Sequence, residues 1–202
     1  MKPLLFSAAF MKKNMSEFKL CITGGSGFIG TTAMSWAISK YEVINFDIRP
    51  PKLLEHQKYW RYVDIRDARS FTEALIDFQP THILHLAAMT GMEIRDMSFF
   101  DANTKGVENL IQATQKIDSL QRVLFASSLL VCPNGRVPSS DTEYDPPNLY
   151  GESKVIGEKE IEITPRVMVT GDNRTHGEGT ALIGTMLDTM LHRAPPQKAE
   201  AD

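Results

Sequence analysis

Tyr150 and Lys154 stand four residues apart in Tyr150-Gly151-Glu152-Ser153-Lys154. On a helix that spacing puts both side chains on one face, one turn apart. A phenol is a poor base near neutral pH, because its reference pKa is about 10. A neighbouring ammonium favours the phenolate and makes such a pair a usable general acid/base. The same spacing also suits a plain surface helix, so a third group changes the weighing. Ser127-Ser128 closes the apolar run Val123-Leu124-Phe125-Ala126. A hydroxyl at the carboxyl end of a strand lies where open parallel sheets bind ligands. Ser128 would there hold the substrate oxygen that Tyr150 deprotonates.

A second constellation lies near the amino end. Thr23-Gly24-Gly25-Ser26-Gly27-Phe28-Ile29-Gly30 follows the apolar run Phe18-Lys19-Leu20-Cys21-Ile22 and opens a helical pattern. Strand, glycine turn and helix in that order present a helix N-terminus to a pyrophosphate, where backbone N–H groups and the helix dipole favour negative charge. Gly24 allows a tight turn, Gly27 lets the phosphate approach the backbone, and Gly30 lets the helix pack closely on the strand. Phe28 and Ile29, at the helix start, join them as cofactor-binding candidates. Val43-Ile44-Asn45-Phe46-Asp47 reads as a second strand ending in an acid, at about the distance expected of a ribose-binding carboxylate. Asp47 would accept from both hydroxyls of the adenosine ribose and repel a 2′-phosphate, which favours NAD over NADP. Arg49 softens that preference. Asp64, with Ile65 beside it, ends a third strand and would accept from the adenine amino group; alternatively it caps the next helix, although Asp67 is better placed for that. Leu86-Ala87-Ala88 ends a fourth strand in small side chains, which either admit a cofactor close to the backbone or simply pack.

The elements that must position these residues follow from alternation. Apolar runs alternate with helix-period runs, which predicts an α/β chain: a Rossmann-type doubly wound parallel sheet flanked by helices. Strands are expected over 19–23, 42–47, 59–63, 82–86, 122–127 and 166–170. Helices are expected over 28–39, 68–78, 99–117 and 150–163, with a last one over 180–192. Pro50-Pro51 and 133–147 read as loops by their Pro, Gly, Ser and Asp content. The expected organisation is a disordered leader over 1–17, an NAD-binding domain over 18–193 and a tail over 194–202, with the substrate lobe largely absent.

Composition limits the function classes. The chain has 202 residues, enough for one good core, and a formal net charge of −3. No basic cluster marks a nucleic-acid surface. The longest apolar runs are too short to span a bilayer, and Met1 to Phe10 lacks the cleavage site of a signal peptide. Cys21 and Cys132 read as small buried hydrophobes in a reducing compartment, so the expected location is the cytoplasm. His85, inside an apolar strand, reads as a core histidine. The other histidines cluster neither with one another nor with the cysteines, so no metal site is expected.

Taken together, the glycine turn, Asp47, Asp64, Leu86-Ala87-Ala88, Asn103, Ser128 and Tyr150…Lys154 resemble the extended short-chain dehydrogenase/reductases, the NAD-dependent epimerase/dehydratase group. The likeness runs from about Phe18 to Glu160. It implies a catalytic Ser128-Tyr150-Lys154 set, with Lys154 also binding the nicotinamide ribose. It also implies that Asn103 orders the region beneath the active site. The implied activity is an NAD-dependent oxidoreductase or epimerase acting by Tyr/Lys/Ser-assisted hydride transfer on a hydroxyl-bearing small molecule, a nucleotide sugar.

The chain departs from the family in three places. Leu129 and Leu130 replace the acidic pair that dehydratases carry after the hydroxyl residue, and neither transfers a proton, which speaks against 4,6-dehydration. Cys132-Pro133 replaces Tyr-Gly in the loop over the nicotinamide. Pro165 to Thr175 holds Gly-Asp-x-x-Thr where Arg-Pro is usual, and the chain then ends early. A non-catalytic NAD-binding module or truncated form, and a carbonyl or thioester reductase, are therefore alternatives; Asp47 argues against the NADPH such a reductase prefers. The family dimerises through the helices holding Asn103 and Tyr150, so a homodimer is a further expectation. Their apolar positions Val107, Leu110, Ile111, Val155 and Ile156 equally suit the chain's own core. Asp101, Glu108, Glu152 and Glu158 read as solvated helix acids.

Overall fold

Strands that are apolar on both faces must be covered by helices on both faces, and this requirement organises the molecule. The computed structural model describes residues 18–132, 139–140, 143–162 and 167–170. Six parallel strands form one sheet: β1 Lys19–Thr23, β2 Glu42–Asp47, β3 Trp60–Tyr62, β4 His82–His85, β5 Arg122–Ala126 and β6 Val167–Thr170, in the order β3-β2-β1-β4-β5-β6. The helices are α1 Phe28–Ala37, α2 Ala68–Phe78, α3 Lys105–Thr114 and α4 Leu149–Glu162.

Side chains alternate across the sheet, and each face takes its own cover. Cys21, Phe46, Ile83 and Val123 point to one side, where Phe71 and Leu75 of α2 and Leu110 and Ala113 of α3 meet them. Leu20, Ile22, Val43, Leu84 and Leu124 point to the other, against Ala33, Met34 and Ala37 of α1. The strand order reverses between β1 and β4, and the carboxyl ends there, Thr23 and His85, border the crevice in which such sheets bind ligands.

Two elements differ from expectation. The helix expected over 99–117 divides into a short 3₁₀ turn, Met97–Phe100, and α3. Asp96 caps the turn through Ser98 N at 2.9 Å, and the Asn103 side chain bonds to the Met89 backbone, which takes residues 101–104 out of the helix. The strand expected over 59–63 shortens to β3 and is preceded by a 3₁₀ helix, Leu54–Tyr59, anchored by buried His56 against Ser35 at 3.1 Å. Asp67, not Asp64, caps α2, accepting from Arg69 N and Ser70 N at 3.1 Å. The leader, the tail and the helix expected over 180–192 lie outside the described residues. Both cysteines are buried and free.

Candidate active site

The glycine turn is built around contacts that leave no room for a side chain at Gly24, Gly25 or Gly30. Gly24 has φ +74°, and a Cβ there would lie 2.6 Å from Ala87 N of the β4 end. At Gly30 a Cβ would overlap the Gly24 carbonyl oxygen, so α1 rests directly on the turn. Gly27 differs: among the described residues a Cβ there would meet only the Gly24 oxygen, at 3.2 Å. Gly27 is also the N-cap of α1 and provides no side-chain hydrogen bond, and the first turn holds no acid. Neither Gly27 nor an acid in the first turn thus offers the N-terminal N–H groups of α1 a side-chain acceptor. Phe28 (95% exposed) and Ile29 project outward beside them.

Asp47 is buried at the carboxyl end of β2. Its Oδ2 accepts from Ser26 N at 3.0 Å and its Oδ1 from Arg49 N at 2.9 Å. Ser26 is held a second time, because its Oγ accepts from Nδ2 of buried Asn45 at 3.0 Å. Asp64 carries Arg66, with Nη2 at 2.6 Å from Oδ2, and this pairing holds its carboxyl below the usual range. Ile65 is buried and its side chain fills the space beside Gly106, while its carbonyl accepts from Asn109 Nδ2. Leu86, Ala87 and Ala88 are half-buried along the crevice, and Ala87 N donates to Thr23 Oγ1 at 3.3 Å.

These features test whether a dinucleotide fits. An open cradle at Gly27, a helix N-terminus without a cap or acid, a fixed carboxylate on the adjoining strand and small residues opposite all suit a dinucleotide pyrophosphate and its ribose.

Beyond β4, Asn103 acts as a clamp. Its Oδ1 accepts from Met89 N at 2.8 Å, and its Nδ2 donates to Met89 O and to Ser153 Oγ, each at 2.9 Å. Ser153 in turn donates to the Tyr150 carbonyl at 2.7 Å. Sequence reasoning missed Ser153; its place between Tyr150 and Lys154 was the signal. An open cleft of about 610 Å³ lies beside Met89, bounded by Arg66, Arg95 and Phe99.

α4 starts where Asn148 accepts from Gly151 N at 2.9 Å. A Cβ on Gly151 would overlap the Leu130 carbonyl oxygen, so α4 lies directly on the 3₁₀ turn Leu129–Val131 that Ser128 caps. This contact brings Tyr150 beside the Ser128 turn. The Tyr150 ring is half-buried, 6.1 Å from that of Phe100. Ser128 is half-buried, and its Oγ accepts from Leu130 N at 3.2 Å.

Lys154 is 3% exposed, with Nζ 4.2 Å above the centre of the Phe125 ring. Burial lowers its pKa to about 8, and Glu158 opposes that fall. Glu158 corrects an expectation: it is no solvated acid but 6% exposed, and Ser127 Oγ donates to its Oε1. His85 stacks on Phe125 at 5.7 Å and shares a hydrogen bond with Thr23 Oγ1 at 2.9 Å; its Nε2 has no partner among the described residues. Burial, and secondarily the Lys154 charge, lower its pKa to about 3, so the imidazole is neutral. Val107, Leu110 and Val155 are buried in the chain's own core, which leaves Ile156 exposed on α4.

Among known proteins, the chain is 29% identical over 135 residues to an N-acetyl-alpha-D-glucosaminyl-diphospho-ditrans,octacis-undecaprenol 4-epimerase of Escherichia coli O157:H7, covering 66% of this chain and 39% of that one. It is 29% identical over 154 residues to a CDP-paratose 2-epimerase of Salmonella typhi, covering 67% and 46%. The chain thus spans less than half the length of these curated relatives. Its fold is similar to the crystal structure of Thermus thermophilus UDP-glucose 4-epimerase in complex with NAD (TM-score 0.66, 23% identity, 81% of this chain and 60% of that one). No helix among the described residues is long and apolar enough to cross a membrane. Residues 20–166 match the NAD dependent epimerase/dehydratase family, and the chain belongs to that family.

Proposed function

We propose that this chain binds NAD and acts with it on a secondary hydroxyl of a small molecule, in the class of nucleotide sugars. The observation that supports the reading is the seating of α4, the helix that bears Tyr150 and Lys154, on the turn that Ser128 caps. Gly24, Gly27, Gly30 and Asp47 would hold the dinucleotide, with Phe28 and Ile29 beside its pyrophosphate and Asp64 and Ile65 at its adenine end. Leu86, Ala87 and Ala88 would line it, and Lys154 would hold its nicotinamide ribose. When bound, NAD supplies the hydride acceptor.

The chain's own groups supply position and proton transfer. Ser128 Oγ donates a hydrogen bond to the substrate oxygen and orients the hydroxyl. Lys154, as an ammonium, favours the phenolate form of Tyr150, which as general base receives the hydroxyl proton and becomes the neutral phenol. Asn103 and Ser153 fix the backbone under Tyr150. Leu129 and Leu130 carry no proton, so the reading is oxidation or epimerisation and not elimination. Support for a nucleotide sugar comes from relatives named as CDP-paratose 2-epimerase and dTDP-L-rhamnose 4-epimerase.

The test is a fluorescence titration with NADH and NADPH, followed by turnover of UDP-, dTDP- and CDP-hexoses by the native chain and by Tyr150→Phe. The expected result is saturable NADH binding by both, weak NADPH binding, and turnover by the native chain alone. Full activity in Tyr150→Phe would refute the catalytic assignment. Binding of NADH without any turnover would favour a non-catalytic NAD module.

A further inference from the structure

A buried ammonium needs a counter-charge, and the acid that faces Lys154 from its own helix is tied down from outside that helix. Lys154 and Glu158 are four residues apart on α4, hence on one face, and both are nearly inaccessible to water. The Glu158 carboxylate is held by the Ser127 hydroxyl, at the carboxyl end of β5 and next to Ser128. Phe125, two residues earlier, presents its ring to Lys154 Nζ. The strand end that bears the substrate-orienting hydroxyl thus also bears both groups that fix the lysine.

The other titratable groups nearby do not take this part. His85 of β4 stacks on Phe125 but is neutral and buried, so it offers Lys154 no negative charge. Glu160 is acted on by Glu108 of α3. Tyr150 is one turn back along α4, and its carbonyl is taken by Ser153.

We propose that Glu158, anchored by Ser127, is a positioning residue that keeps Lys154 charged inside the protein and so keeps the lysine able to serve Tyr150. This rests on the reading of Lys154 and Tyr150 as a working pair. Desolvation alone favours the neutral amine; a fixed carboxylate beside it favours the ammonium. In the native chain the opposition leaves Lys154 at about 8, so that the ammonium persists at neutral pH. Without Glu158 no carboxylate opposes the desolvation, and the amine loses its proton at a lower pH than in the native chain.

The test is a pH titration of the ¹³Cε resonances of labelled lysine in the full chain, with Lys154 assigned by its absence from Lys154→Arg. The native midpoint should lie near 8, and Glu158→Gln should lower it by about one unit or more. Glu158→Asp, which keeps the charge, should recover most of that fall. Ser127→Ala, which frees the carboxylate without removing it, should give a smaller drop and serves as the second variant if Glu158→Gln does not fold. A Lys154 midpoint that is unchanged or raised in Glu158→Gln or, failing that variant, in Ser127→Ala would overturn the proposal. The readout uses neither cofactor nor substrate. A chain in which Tyr150→Phe retains activity would refute the catalytic reading and leave this titration standing; the reverse outcome would refute Glu158 alone.

Discussion

Asp47 accepts the backbone N–H of Ser26 at 3.0 Å, so the acid that ends β2 and the turn that follows β1 are one unit. A carboxylate expected to meet a ribose is thus already bonded to the loop expected to meet the phosphates. Its second oxygen, on Arg49 N, completes the fixation. Asp47→Asn should expose this double duty. An amide has one acceptor oxygen, so one of the two N–H groups loses its partner, at a cost of about 1–3 kcal/mol. Urea unfolding should show that loss, and the NADH-over-NADPH preference should narrow in the same variant. A variant with native stability would show that the two bonds are not what fixes the turn.

Stability and cofactor binding should separate at two glycines of the same turn. Gly24→Ala places a Cβ 2.6 Å from Ala87 N at a positive φ and should destabilise the fold by about 1–3 kcal/mol. Gly27→Ala meets little within the chain, so its melting temperature should stay near native while NADH affinity falls at least tenfold. Thermal melts and NADH titrations of both variants check this; retained affinity in Gly27→Ala would remove that residue from the phosphate site.

The Asn103 clamp joins the loop after β4 to α4 by three hydrogen bonds, and its loss should exceed the loss of any one of them. Asn103→Ala leaves Met89 N–H, Met89 C=O and Ser153 Oγ without this partner. The expected cost is about 2–3 kcal/mol in urea unfolding, against about 1 kcal/mol for Ser153→Ala, which removes fewer bonds. Equal costs would mean that the Met89 backbone finds other partners.

Acid should loosen the sheet through its buried histidines. Burial lowers His85 to about 3 and His82 to about 4, below the ordinary 6.5. Between those values and 6.5 the unfolded chain binds more protons than the folded one. The stability is thus full above about 6.5 and falls as pH drops through the window, by up to about 1.4 kcal/mol per pH unit for each histidine. Urea midpoints at pH 7 and pH 5 measure the fall. His85→Asn, which can keep a bond to Thr23, should remove its share; a native-like pH dependence in that variant would assign the effect elsewhere.

How much of the molecule is legible without coordinates depends on the range of the interactions involved. β1 and β2 match expectation to the residue because apolar runs bounded by Gly and Asp carry their own limits. α2 does too, because Asp67 caps it from within its own segment. Tyr150 and Lys154 share a helix, so their relation is likewise local. The divided helix is not legible, because the Asn103 side chain that breaks it is held by Met89, fourteen residues earlier. Nor is Glu158, which helical spacing assigns to solvent until β5 arrives with Ser127, thirty-one residues distant in sequence.

By itself the sequence determined the parallel α/β architecture, the glycine turn and the residue types at the site, since periodicity and spacing are properties of neighbouring residues. Only the tertiary structure decided which of those residues are already bonded, which acid is buried and which lysine needs it. Burial and counter-charge depend on what a distant segment brings into contact, and no local pattern encodes that.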